Sequence, residues 1–312
     1  MTRGGGGGWR LLGRVGGAVA GLVCVTVFAG TGPQADAAHQ LRILATTTQV
    51  ADLARNIAGT TAVVDGILPV RVDPVDYKPG PGDADKIALA DVVLANGAGM
   101  EDAWLTRLLR KVPRRHGRVV DTGRGVTLLP GNDETPKDDP HIWFSVTNAV
   151  QMVANILDAL ARVDTLHADA YRANAARYTS QLQALDTYIA ERVDTIAPAQ
   201  RKLVTSHDAF RYFAARYHLT LVGSVIPSAS LRVEPSAEHL ARLEAQIQTE
   251  HVKVIFLEDS VDPSLAQEVG RETGVRVLAG LYGETLGPAG SPAATYISMM
   301  RYDTDLIVSG LR

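Results

Sequence analysis

The most constraining feature is a single helical pattern in the middle of the chain, running from about Leu166 to Ile196. Tyr171, Tyr178, Leu182, Leu185, Ile189, Val193 and Ile196 recur at spacings of seven, four, three, four, four and three. That is one apolar face of an α-helix of about 30 residues, on the order of 45 Å long. Pro198 then stops it. Such a helix is too long to belong to one small α/β unit, and it suits a bridge between two.

The flanking sequence supplies those units. Short apolar runs at 41–45, 62–67, 92–95, 119–121, 203–206, 219–225, 252–257 and 275–279 are rich in Val, Ile and Leu. Several lack polar alternation, as strands buried on both faces do in a parallel sheet. Amphipathic stretches at 50–58, 83–90, 101–111, 147–163, 209–217, 237–248 and 263–272 separate them, and a closing helix is expected over 292–309. Strand–helix alternation predicts an α/β fold of two lobes with parallel sheets flanked by helices. The expected units are an N-terminal lobe over 39–165, a linking helix over 166–198 and a C-terminal lobe over 199–312. Ligands in such folds sit at the carboxyl ends of strands, between lobes.

Residues 1–38 are set aside as a signal peptide. Arg3, Arg10 and Arg14 precede an uncharged apolar run over 16–30, and Ala35-Asp36-Ala37 resembles a cleavage site. The run is short for a membrane span. The only cysteine, Cys24, lies inside it, without the neighbours that lipidation requires. The mature chain then has no thiol, so an exported metal site must use His, Asp and Glu. A net charge of −3 gives no footprint for nucleic acid.

The chain has eight histidines. His39, His116, His167, His218, His239 and His251 read as solvated surface residues. His141 follows Asp138-Asp139-Pro140 and precedes Ile142-Trp143. It reads either as a ligand held by a proline-fixed turn or as part of a helix-entry loop with a buried Trp. His207 stands at the end of a strand in Thr205-Ser206-His207-Asp208, with Ser206 or Asp208 available to cap the next helix. Glu284, in the glycine-bounded loop Tyr282-Gly283-Glu284-Thr285, is either an inward-pointing carboxylate or an ordinary exposed glutamate. The G-x-S-x-G, H-E-x-x-H, Walker A and G-x-G-x-x-G signatures are missing.

Across the mature chain the sequence resembles the metal-binding solute-binding proteins of ABC importers, the TroA-like and ZnuA-like zinc and manganese group. The resemblance rests on motifs in order. They are Ala45-Thr46-Thr47-Thr48, Asp73-Pro74-Val75-Asp76-Tyr77-Lys78-Pro79, Asn96-Gly97-Ala98-Gly99-Met100-Glu101, Asp139-Pro140-His141-Ile142-Trp143 and Ser206-His207-Asp208-Ala209-Phe210 with Tyr212-Phe213. The resemblance implies two lobes joined by one rigid helix, a metal ion held in the cleft, and delivery to the membrane permease of an importer. It also implies a monomeric protein on the periplasmic or extracellular side of the membrane, and no enzymatic activity.

Carried over residue by residue, His141, His207 and Glu284 fall on ligand positions, Glu284 where relatives carry aspartate. The first ligand, a histidine in relatives, is Val75 here. Three protein ligands with water in a fourth position suit zinc, and imidazole suits Zn2+ better than Mn2+. The stretch 131–138 is short, acidic and free of histidine, so capture there must use carboxylates. Two other readings remain open: a surface adhesion or structural homologue with weakened metal binding, and an exported metallo-hydrolase.

Overall fold

The structure is a computed structural model that describes residues 40–112, 118–131 and 136–312. The leader over 1–38, Cys24, His39 and His116 lie outside the described residues. Among the described residues, no helix is long and apolar enough to cross a membrane.

The N-terminal lobe is built from β1 (Leu41–Ala45), α1 (Thr48–Ala58), β2 (Ala62–Gly66), α2 (Pro81–Leu89), β3 (Val92–Ala95), α3 (Leu105–Leu109), β4 (Arg118–Asp121) and α4 (Val146–Val163). Its sheet has the order β2-β1-β3-β4, with every neighbouring pair parallel. Next comes α5 (Ala168–Asp194), the long helix. The C-terminal lobe follows with β5 (Lys202–His207), α6 (Arg211–Tyr217), β6 (Thr220–Ile226), α7 (Ala237–Thr249), β7 (Val254–Glu258), α8 (Ser264–Thr273), β8 (Arg276–Leu281) and α9 (Tyr296–Leu311). Its sheet repeats the arrangement in the order β6-β5-β7-β8, again parallel.

The long helix has 27 residues, so it spans about 40 Å. Its buried stripe is Tyr171, Ala175, Tyr178, Leu182, Leu185, Ile189 and Val193, the face that the spacing predicts. It is fastened at both ends. Asn174 donates to the carbonyl of Ile57 on α1, and Tyr188 and Arg192 both bond Asp305 on α9, Arg192 at 2.7 Å. One hydrophobic cluster therefore runs from Ile43 through Leu182 to Ile307 and joins the two lobes. A second cluster lies behind the first sheet and a third behind the second.

Two helix boundaries differ from the sequence reading by more than two residues. The helix expected over 101–111 is only α3, because Glu101 is held in the preceding loop. Its buried carboxylate accepts from Thr46 Oγ1 at 2.5 Å, from the Asn96 amide at 2.6 Å and from the Gly97 amide at 3.2 Å. Burial outweighs those bonds and pushes the carboxyl up to about 7. The closing helix starts at Tyr296 rather than 292, where Thr295 caps it by accepting from the Ser298 amide.

Candidate metal centre

The site is assembled from strand ends. β5 and β7 are central and adjacent in the second sheet. Side chains alternate across a strand, so Leu203 and His207 share the face of β5 that meets the main core, and Val254, Phe256 and Glu258 do so on β7. His207 and Glu258 thus end neighbouring strands on the same side. His141 enters from the other lobe, just before the short turn Ile142–Phe144 that leads into α4.

The loop after β8 brings Glu284, and it is tied to the opposite lobe. Gln49 donates to the Glu284 carbonyl at 3.1 Å, the Arg71 amide to Thr285 Oγ1 at 2.8 Å, and the Leu286 amide to Thr48 Oγ1 at 2.8 Å. Gly283 has a packing reason: a Cβ there would lie 1.6 Å from Glu258 Oε2.

His141, His207 and Glu284 converge, with one ligand atom from each lying within 4.8 Å of the others. All three are fully buried. Each ring is oriented through its other nitrogen. His141 Nδ1 is 2.8 Å from Asp139 Oδ1, and His207 Nδ1 is 2.7 Å from Glu258 Oε1. A carboxylate on Nδ1 fixes the tautomer and directs the Nε2 lone pair at an ion. Glu284 Oε1 is 2.5 Å from His207 Nε2 and 3.5 Å from His141 Nε2. Yet both Nε2 atoms and both Glu284 oxygens lack a partner with hydrogen-bond geometry. Four buried ligand atoms aimed at one another suit a cation.

The electrostatics of the metal-free centre follow from the same contacts. Burial works against a charged His141, but Asp139 and Glu284 outweigh it and raise the ring to about 9. His207 is raised well above the ordinary histidine value because Glu258 and Glu284 overcome its burial. Glu284 is drawn down to about 2, its burial outweighed by the two rings. The metal-free site is a buried imidazolium–carboxylate cluster.

Val75 offers no donor. It is partly buried, packs against the main core and lines the interlobe cleft. Its loop is rigidly set: Asp73 Oδ1 accepts from the Val75 and Asp76 amides at 2.8 and 3.2 Å, and Trp104 Nε1 donates to the Pro74 carbonyl at 2.8 Å. Asp76 points to Ser230 Oγ in the other lobe.

Two expectations need correction, and one residue of the site escapes the sequence reading. His239 is buried, with Nε2 2.9 Å from the Ser224 carbonyl; it shares the inner face of α7 with Leu243 and Ile247, and that four-residue spacing is visible in the sequence. Ser206 and Asp208 do not cap α6, whose N-cap is Phe210 without a side-chain bond; Ser206 Oγ donates to Glu258 Oε1 instead. The residue that escapes is Glu258, although a glutamate closing the apolar run Val254–Leu257 is the signal that marks it.

A family model described as the zinc-uptake complex component A, periplasmic (ZnuA) matches residues 43–310. The chain belongs to this family. The manganese ABC transporter substrate-binding lipoprotein PsaA of Streptococcus anginosus is 30% identical over 297 residues, covering 93% of this chain and 95% of the relative. The iron ABC transporter substrate-binding lipoprotein MtsA of Streptococcus pyogenes serotype M1 is 28% identical over 301 residues, covering 95% and 96%. Among solved structures, the periplasmic zinc-binding protein TroA from Treponema pallidum superimposes with a TM-score of 0.81 at 26% identity, covering 87% of this chain and 99% of that one. A manganese-bound mutant of a periplasmic metal-binding protein from Candidatus Liberibacter asiaticus gives 0.81 at 25%, covering 87% and 100%. This ZnuA-family chain is a metal-binding, extracytoplasmic substrate-binding protein of the ABC-importer type, with the two-lobe fold of its relatives.

Proposed function

We propose that the chain captures a zinc ion between His141, His207 and Glu284 and delivers it, as a monomer, to the permease of an ABC importer. The observation that carries this reading is the convergence of two imidazoles and one carboxylate, all buried, with each ring fixed from behind by a carboxylate. Two imidazoles favour zinc over the harder manganese ion. Relatives named for manganese and iron make that choice the first thing to test. The reading includes removal of residues 1–38, and lobes at 39–165 and 199–312 bridged by 166–198. It assigns no catalytic role.

A ligand that binds only the folded state stabilises it by about 2.7 kcal/mol at a hundredfold excess over Kd. Thermal melting should therefore rise by several degrees with zinc, fall back with chelator, and rise less with manganese at the same concentration. Melts that coincide at saturating zinc contradict the reading.

Val75 favours a second reading, an adhesion or structural homologue whose metal binding has weakened. Val75→His separates the two. The loop is anchored independently of the Val75 side chain, so an added imidazole should complete a closed shell. The expected gain is at least about tenfold in zinc affinity, near 1.4 kcal/mol, by competition against a chromophoric chelator. Weak binding in both proteins supports the structural homologue.

A further inference from the structure

His141, His207 and Glu284 are fully buried, so an ion reaches or leaves them only when the surrounding loops part. One residue of those loops holds a conformation that its own side chain disfavours. Arg71 has a φ of 60°, in the left-handed region, where a Cβ crowds the backbone and glycine is the default. It stands in the loop between β2 and α2 that also carries Val75. A strained backbone position persists only where its surroundings hold it, and the contacts of Arg71 show what does so.

Arg71 bonds the other lobe twice. Its amide donates to Thr285 Oγ1 at 2.8 Å, and its Nε donates to Asp259 Oδ2 at 3.0 Å. Thr285 directly follows Glu284. Asp259 directly follows Glu258, the carboxylate behind His207, and its own amide donates to the Leu281 carbonyl at 2.8 Å. Leu281 ends β8, where the Glu284 loop departs. Arg71 therefore grips that loop on both sides of Glu284. Glycine at this position would keep the amide bond and relieve the backbone, but only a long cationic side chain reaches Asp259.

Val75 gives the grip its purpose. Valine offers an ion no donor, so the loop that Arg71 and Val75 share has no bond to the metal through that side chain. Protein contacts hold it to the C-terminal lobe instead: Arg71 on the Glu284 loop, and Asp73, whose Oδ2 accepts from the Leu231 amide at 3.0 Å. The Arg71 side chain is 60% exposed and that of Asp259 13%, so the ion pair closes the loop from the solvent side.

We propose that Arg71 is a positioning residue for the metal centre: its ion pair with Asp259 latches the Glu284 loop against the N-terminal lobe and slows the departure of a bound ion. The latch rests on the capture reading.

The test uses the full mature chain loaded with one equivalent of zinc, and follows release into an excess of chromophoric chelator by stopped-flow absorbance. An exposed pair is weak by itself, so Arg71→Gly should speed release only about three- to fivefold. Relief of the left-handed backbone should keep the metal-free melt at or above that of the parent. Asp259→Ala, which leaves the Arg71 backbone untouched, should speed release to a similar extent and decides the matter if the first variant does not fold. The double variant should release zinc no faster than either single one, because both changes break the same contact. Parental release rates in both single variants overturn the latch and leave the capture reading standing, as do effects that simply add in the double variant. A parent that takes up no zinc overturns both.

Discussion

His207→Ala removes tight zinc binding, and so does His141→Ala. Either change leaves one imidazole and Glu284, two protein ligands in a fully buried space. Loss of a partner that merely orients a ligand already costs about 10- to 100-fold in affinity, so loss of the ligand itself should exceed about a hundredfold. The two variants differ in a second respect. His207 lies closer to its two buried carboxylates, Glu258 at 2.7 Å and Glu284 at 2.5 Å, than His141 does to Asp139 at 2.8 Å and Glu284 at 3.5 Å. Its removal strands them, and breaking a buried ion pair costs roughly 3–5 kcal/mol. His141→Ala should be the milder of the two for metal-free stability, and Glu284→Gln should weaken zinc less than either, because an amide oxygen remains. Competition titrations with parallel metal-free melts read both quantities. Parental affinity in His141→Ala would remove that residue from the site.

The second large effect is on pH. The metal-free site holds protons that a metal must displace. With His141 raised to about 9 and His207 higher than usual, both rings are protonated at neutral pH, while Glu284, near 2, is ionised. Binding then releases about two protons, and apparent zinc affinity should fall as pH falls, by up to about a hundredfold per pH unit where both rings are protonated. The sign for the metal-free protein is opposite. A histidine whose folded value lies above its unfolded 6.5 stabilises the fold fully below 6.5, and that contribution is lost as pH rises through about 9. The stabilisation by zinc should therefore grow as pH rises. Calorimetry in buffers of different ionisation enthalpy counts the protons; release of none would mean that the rings are neutral before the metal arrives.

Much of this was legible in the sequence because it rests on periodicity. The seven-residue series from Tyr171 to Ile196 marks the one helix that both lobes share, and the Val- and Ile-rich runs mark buried parallel strands. His207 was recognisable because a strand's end is a fixed address in an α/β fold. Tertiary carboxylates were harder to see. Glu101 shortens a helix by bonding backbone amides of a loop that local propensity does not register. Glu258 and His207 are 51 residues apart and meet only because β5 and β7 are neighbours. The polar residue inside α7 is hard to place for a related reason: His239 looks exposed among charged neighbours until its spacing to Leu243 and Ile247 is weighed.

The central claim is that one metal ion sits among three named side chains, and a crystal grown with one equivalent of zinc tests it most directly. Data collected on either side of the zinc absorption edge should give a single strong anomalous peak bounded by Nε2 of His141, Nε2 of His207 and the carboxylate of Glu284, with bonds of about 2.0–2.2 Å. No peak there, or a dominant peak held by other residues, would contradict the account.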